Sequence, residues 1–95
     1  MGNDKNHGEG WLAGWLSQPI ALRAVKMARW DMEDLKTMLA KGFKTDAQRD
    51  LFLEKRERWY NSLRNRMKNF GISKEQLAQY GLDFRECKRF YFQAV

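Results

Sequence analysis

The sequence predicts an all-α fold, a long antiparallel helical hairpin followed by two short helices, and three observations carry that expectation. Thr45 to Phe70 runs without a Gly or Pro. Along it Phe52, Leu53, Trp59, Tyr60, Leu63, Met67 and Phe70 recur at three- and four-residue steps, which places them on one helical face. Start and stop residues bracket the segments: Thr45 with Gln48, and Ser73 with Gln76, are capping-box pairs, while Gly42, Gly71 and Gly81 suit helix ends. Finally, Arg89-Phe90-Tyr91-Phe92 is the one stretch that reads as a strand, and nothing elsewhere in the chain offers it a partner.

Taken in order, residues 1–10 (MGNDKNHGEG) are polar and glycine-rich, and are expected to be a disordered tail ahead of one small helical domain, residues 11–95. Trp11-Leu12-Ala13-Gly14-Trp15-Leu16 is a short apolar patch with its tryptophans four apart. It is expected to form a lid over one end of the core; the sharper alternative is a linear motif that enters a partner groove or lies at a membrane interface. Ser17 can cap the next helix, with Pro19 tolerated in its first turn. That helix should run over about 18–41 with Ile20, Ala24, Met27, Ala28, Leu35, Met38 and Leu39 as its buried stripe.

The linker Gly42-Phe43-Lys44 is too short for anything but an antiparallel return. The second helix, about 45–70, would be ~39 Å long. Folding the chain back about the linker opposes residues whose numbers add up to about 87, as 31 and 56 do. Asp31 and Arg56, each within an apolar stripe, are therefore expected to form a buried or half-buried pair, since a lone core charge costs several kcal/mol. Two short helices follow, about 73–80 and 83–94, the last burying Phe84, Cys87, Phe90, Tyr91 and Ala94.

Composition narrows the function. A formal charge of +6 makes polyanions the default partners. Cys87 is the only cysteine, so no internal disulfide can form and a reducing compartment fits. No apolar run approaches the ~20 residues that span a bilayer. The start has neither secretory order nor, with Asn6, a myristoylation signal. A cytoplasmic protein is expected, nucleoid-associated or nuclear if it binds DNA.

Enzyme chemistry is not expected. His7 is the only histidine and lies in the tail, so neither a Ser–His–Asp nor a Cys–His arrangement can be assembled on ordered structure. No metal-ligand cluster, glycine-rich phosphate loop or cofactor signature is present. Asp31 and Asp34 share a helical face, but ordinary charged positions explain them, and Cys87 reads as a small buried hydrophobe.

The basic surface is more informative. The segment RWYNSLRNRMKNFGISK, Arg58 to Lys74, holds five basic residues and no acid. Opposite the apolar stripe lie Lys55, Arg58, Ser62, Asn65, Arg66 and Asn69. Arginine and lysine contact phosphates, and Asn and Arg can read base edges. The last helix adds Arg85, Lys88 and Arg89 beside Tyr91 and Phe92, rings that stack bases or fill core.

Arg58, Asn61-Ser62-Leu63, Arg64-x-Arg66 and Phe70-Gly71 resemble the recognition helix of Myb/SANT-like helix-turn-helix domains. Upstream, Arg29-Trp30-Asp31-Met32-Glu33-Asp34-Leu35 is similar to that family's tryptophan-led acidic first helix, so the resemblance covers about residues 29–72. It implies DNA contacts from Asn61, Arg64, Asn65 and Lys68. The family breaks its chain before the reader helix, whereas Thr45 to Phe70 contains no turn residue. Glu75-Gln76-Leu77-Ala78 with Gly81-Leu82-Asp83 is similar to a generic helix-turn-helix pair with 83–92 as reader, one residue short of the usual spacing. A plain pair of short helices packed on the hairpin is the simpler account.

Two functional readings follow. The first is a small regulatory nucleic-acid-binding protein, DNA ahead of RNA, using Lys55, Arg58, Asn61, Arg64, Asn65, Arg66, Lys68, Arg85, Lys88 and Arg89. The second is an adaptor or inhibitor that docks on the acidic surface of a larger nucleic-acid-processing protein through Trp11 and Trp15 or the aromatic last helix. A hairpin with a wide apolar stripe can also pair with a second copy as a four-helix bundle.

Overall fold

The computed structural model describes residues 14–15 and 18–95. The expected disordered tail, Trp11 and the Ser17 cap lie outside the described residues. The architecture is all-α: α1 (Ile20–Lys41), α2 (Asp46–Asn69), α3 (Lys74–Gln79) and α4 (Phe84–Phe92).

Local chemistry sets each end. α1 starts two residues later than the cap pattern suggests: helical backbone is disfavoured before a proline, and Gln18, which precedes Pro19, lies outside the helix. Pro19 itself (φ −55°, ψ 144°) takes the capping position without a side-chain bond, and its carbonyl accepts from Arg23 N at 3.0 Å. At α2, Thr45 Oγ1 accepts from Gln48 N at 3.2 Å, while Gln48 Oε1 accepts from Lys44 N at 2.8 Å. The reciprocal bond of the capping box therefore reaches one residue further back than expected. Ser73 Oγ accepts from Gln76 N at 3.0 Å, and Asp83 Oδ1 from Arg85 N at 3.0 Å. α4 stops at Phe92, with Gln93 extended and Ala94 exposed, so Ala94 is not part of its buried side.

The two internal glycine stops are alike. Ile72 N donates to Met67 O at 2.8 Å across Gly71, and Leu82 N to Leu77 O at 3.1 Å across Gly81. Both glycines take positive φ, 64° and 95°. The apolar residue after each glycine is buried, which closes the helix end against the core. A Cβ at Gly71 would meet nothing within 4 Å, so Gly71→Ala isolates the backbone term. It should cost about 1–2 kcal/mol, the left-handed penalty alone, measured as a lower urea midpoint with unchanged slope.

The hairpin register is the expected one, but a different pair marks it. Trp59 Nε1 donates to Ala28 O at 2.9 Å, and 28 and 59 add to the same total as 31 and 56. The Asp31–Arg56 pair does not form. The buried row of α1 is Ala24, Val25, Ala28, Met32 and Leu35, so Asp31 falls on its exposed rim, where the carboxylate keeps its water. Arg56 is only 6 % exposed and serves α4 instead. Its Nη1 donates to Phe90 O at 2.9 Å and Gln93 O at 3.0 Å. Its guanidinium carbon lies 5.2 Å from the Phe52 ring centre and 5.8 Å from that of Phe90. Burial lowers the Arg56 pKa, with Tyr91 opposing that shift.

The stripes differ from expectation in one further way. Val25 and Met32 are buried, whereas Ile20, Met27 and Phe70 are exposed. These three line a surface hollow with Trp15 at the open end of the hairpin, while the cover supplied by α4 lies over Phe52, Arg56 and Tyr60 further along α2.

Candidate nucleic-acid interface

Of the ten basic and amide side chains singled out from the sequence, Lys55, Arg58, Asn61, Arg64, Asn65, Lys68, Arg85, Lys88 and Arg89 are exposed and Arg66 is half-buried. They do not form one face. Three settings separate them, because α1 packs along one flank of α2 and α4 along the other.

On the α1 flank, Lys55 and Arg58 share a groove with Asp31 and Asp34. The acid-free look of the Arg58–Lys74 segment is thus a property of the chain and not of this surface, since α1 supplies the carboxylates. Arg58 Nη2 also meets Glu54 Oε1 at 2.6 Å across one helical turn. That pair is exposed and contributes only about 0.3–0.5 kcal/mol, so it orients Arg58 without consuming it. Arg66 lies at the open end with Arg23, Trp15 and Phe70.

On the α4 flank the arrangement is different. Asn61 and Arg64 of α2 come together with Lys88 of α4 in a groove lined by Tyr60, Phe84, Tyr91 and Phe92, with no carboxylate among its lining residues. Tyr60 and Tyr91 stack at 4.2 Å between ring centres with planes 10° apart. Phe92 stands edge-on to Tyr91 at 4.8 Å and is 68 % exposed. The Arg64 guanidinium carbon is 5.8 Å from the Tyr60 ring centre, and Lys74 Nζ is 5.2 Å from that of Phe84. Cations held near ring faces keep their charge available to an incoming anion. Arg85 joins Lys74 and Lys88 in a neighbouring cleft that also contains Glu75 and Asp83. Glu86 is occupied on the other side of α4, where Lys36 Nζ meets its Oε1 at 3.1 Å.

Sequence reasoning placed Tyr91 and Phe92 beside Lys88 but assigned Tyr60 and Phe84, which also line this groove, to the core. Tyr60 reads as core from its periodicity, and is buried, yet it also lines the groove. Tyr91, which reads as either core or stacking ring, is half-buried, stacks on Tyr60 and lines the groove. The signal that could have found the site is four-residue spacing of cation and ring, Tyr60 with Arg64 and Lys88 with Phe92, which places each pair on one helical strip.

Cys87 of α4 is fully buried against α1, with its Sγ 3.9 Å from Met32 Sδ. Burial, and next the neighbouring carboxylates of Glu86 and Asp83, push its thiol up to about 12, which leaves no thiolate for chemistry at neutral pH. Among the described residues, no group of three or more His, Cys, Asp or Glu side chains could hold a metal ion, and no helix is long and apolar enough to cross a membrane.

Unbroken α2 is the departure from the Myb/SANT-like pattern already visible in the sequence: the chain makes no turn ahead of Arg58. No protein-family model matches this chain, and no curated protein or solved structure matches it either, so the site's own residues are what speak for its chemistry.

Proposed function

We propose that this chain is a small nucleic-acid-binding protein with a regulatory role, working in a reducing compartment such as the cytoplasm or on DNA itself. One observation carries the reading. Asn61, Arg64 and Lys88, from two helices far apart in sequence, line one groove with aromatic rings and without a carboxylate. Cations supply phosphate contacts, an exposed amide can accept or donate to a base edge, and rings offer flat apolar area. An acidic protein face could use the same cations and rings, since protein interfaces are rich in Tyr, Phe and Arg, and binding to nucleic acid decides between the two. Arg85 stands in the neighbouring cleft, Lys68 and Arg89 are exposed, and the net charge of +6 steers a polyanion toward the molecule.

Anisotropy of labelled DNA and RNA at low and at physiological salt tests this. Wild type should bind in a steeply salt-dependent way. Arg64→Glu with Lys88→Glu should weaken binding by about 30-fold or more, because two phosphate contacts are replaced by two repulsions, each contact being worth roughly one counterion. Both positions are exposed, so the helical circular dichroism should be unchanged. Undiminished binding by the double variant at low salt would retire the proposal.

A second reading rests on the opposite end of the molecule. Trp15 stacks on Trp30 at 5.2 Å, and Ile20, Met27, Trp30 and Phe70 remain exposed nearby. A patch of this kind suits a protein partner or a second copy of the hairpin. It is compatible with nucleic-acid binding at the α4 flank, because the two surfaces occupy different parts of the molecule.

A further inference from the structure

We infer that the groove between α2 and α4 takes an unpaired nucleic-acid strand, with a base stacked against Tyr91 and Phe92 and its flanking phosphates on Arg64 and Lys88. This rests on the nucleic-acid reading above and specifies the form of its ligand.

Tyr60 and Tyr91 already form a face-to-face pair, 4.2 Å apart and 10° from parallel, so the stack has a direction, with Tyr60 buried at one side and Tyr91 half-buried beside it. Phe92 meets both tyrosines edge-on, at 4.8 Å to Tyr91 and 6.4 Å to Tyr60. That leaves a large phenyl face in water at the end of a nine-residue helix. Such a surface has a driving force to be covered by something flat. Next come the cations. Arg64 stands near the Tyr60 ring and Lys88 one turn before Phe92, so positive charge brackets the aromatic surface from both helices. Asn61 brings a donor and an acceptor to the same hollow.

Base pairing decides which nucleic acid fits. In a duplex each base face is covered by its neighbours, and the grooves present only edges, so rings set in a hollow have nothing to stack on. A single strand exposes base faces, and stacking on aromatic side chains tolerates any sequence because every base has a π-face. The α1 flank argues the same way from charge. A duplex laid along the outer surface of α2 would bring phosphates toward Asp31 and Asp34 beside Lys55 and Arg58, whereas a strand confined to the α4 flank avoids them.

The test compares three probes of similar charge: a short labelled oligothymidine, the same strand with abasic sugars, and a duplex. Wild type should prefer the oligothymidine to the abasic strand by roughly tenfold, the factor a single base-stacking contact supplies. Phe92→Ala, at an exposed position, should lose about that tenfold for the oligothymidine and leave the abasic strand and the duplex unchanged. Phe92→Trp should restore binding, which a charge-only role would not require. Equal binding of abasic and base-bearing strands by wild type, or a Phe92→Ala variant that binds the oligothymidine as wild type does, would overturn the inference. A duplex bound more tightly than the strand, still sensitive to Arg64 and Lys88, would overturn the groove assignment and leave the broader function standing. Binding of none of the probes at low salt would remove both.

Discussion

Replacing Arg56 by alanine is expected to lower stability by about 3 kcal/mol, although no acidic partner is lost. Arg56 is the one buried charged residue of the described core, and its charge is met by carbonyl dipoles and rings. Nη1 reaches Phe90 O and Gln93 O, the last carbonyl of α4's buried side and the first beyond its end. Phe52, Phe90 and Tyr91 rings surround the guanidinium at 5.2 to 6.0 Å. Alanine removes a charge-assisted bond to each carbonyl, at about 1.5–3 kcal/mol per such bond before relaxation, and empties the space between three rings. Phe90 O retains Gln93 N at 3.2 Å, which moderates the loss. Arg56→Lys should recover only part of it, because an ammonium lacks the planar fork and the flat cation that the rings enclose.

The companion variant gives the result its meaning. Asp31→Asn should change stability by less than about 0.5 kcal/mol, as for a surface position away from any network. If the two helices were held by an Asp31–Arg56 ion pair, both variants would cost several kcal/mol and the cost would shrink under acid or salt. Urea unfolding followed by helical circular dichroism at neutral and acidic pH distinguishes the cases. An Asp31→Asn loss equal to that of Arg56→Ala would contradict the exposed position of Asp31.

Phe52→Ala is expected to be more damaging still, about 3–5 kcal/mol. Its ring is fully buried, lies 5.3 Å from Phe43 of the hairpin linker and 6.4 Å from Phe90 of α4 in an edge-on arrangement, and carries Arg56 near its face. One side chain thus joins the turn, the long helix and the last helix. Chains of this size have roughly 5–14 kcal/mol of total stability, so the alanine variant should sit near its unfolding transition, with Tm lower by about 15 °C or more. Phe52→Leu keeps most of the volume and should cost about 1–2 kcal/mol. Because the groove beside Tyr91 depends on α4 being seated, Phe52→Ala should also weaken the proposed nucleic-acid binding in proportion to the fraction unfolded. Thermal melting monitored together with anisotropy would show the two losses tracking each other.

The division between what the chain spells out and what only the fold decides is a matter of range. Thr45, Ser73 and Asp83 each meet an amide two or three residues on, and Gly71 and Gly81 relax their helix ends through bonds spanning five residues. Interactions that local are complete within the segment, so residue type and spacing settle them. The linker's shortness likewise fixes the hairpin register, which is why Ala28 and Trp59 meet where the numbering says they should. What numbering leaves open is how far each helix is rotated about its axis and where α4 comes to rest. A rotation of a fraction of a turn puts Asp31 in water and Met32 in the core, exposes Ile20 and Phe70, and turns Arg56 from α1 toward the carbonyls of α4. The same packing splits one run of basic residues between a groove shared with α1's aspartates and a groove shared with α4's rings. Those outcomes depend on all the helices burying apolar area at once, a condition that no single segment of the sequence contains.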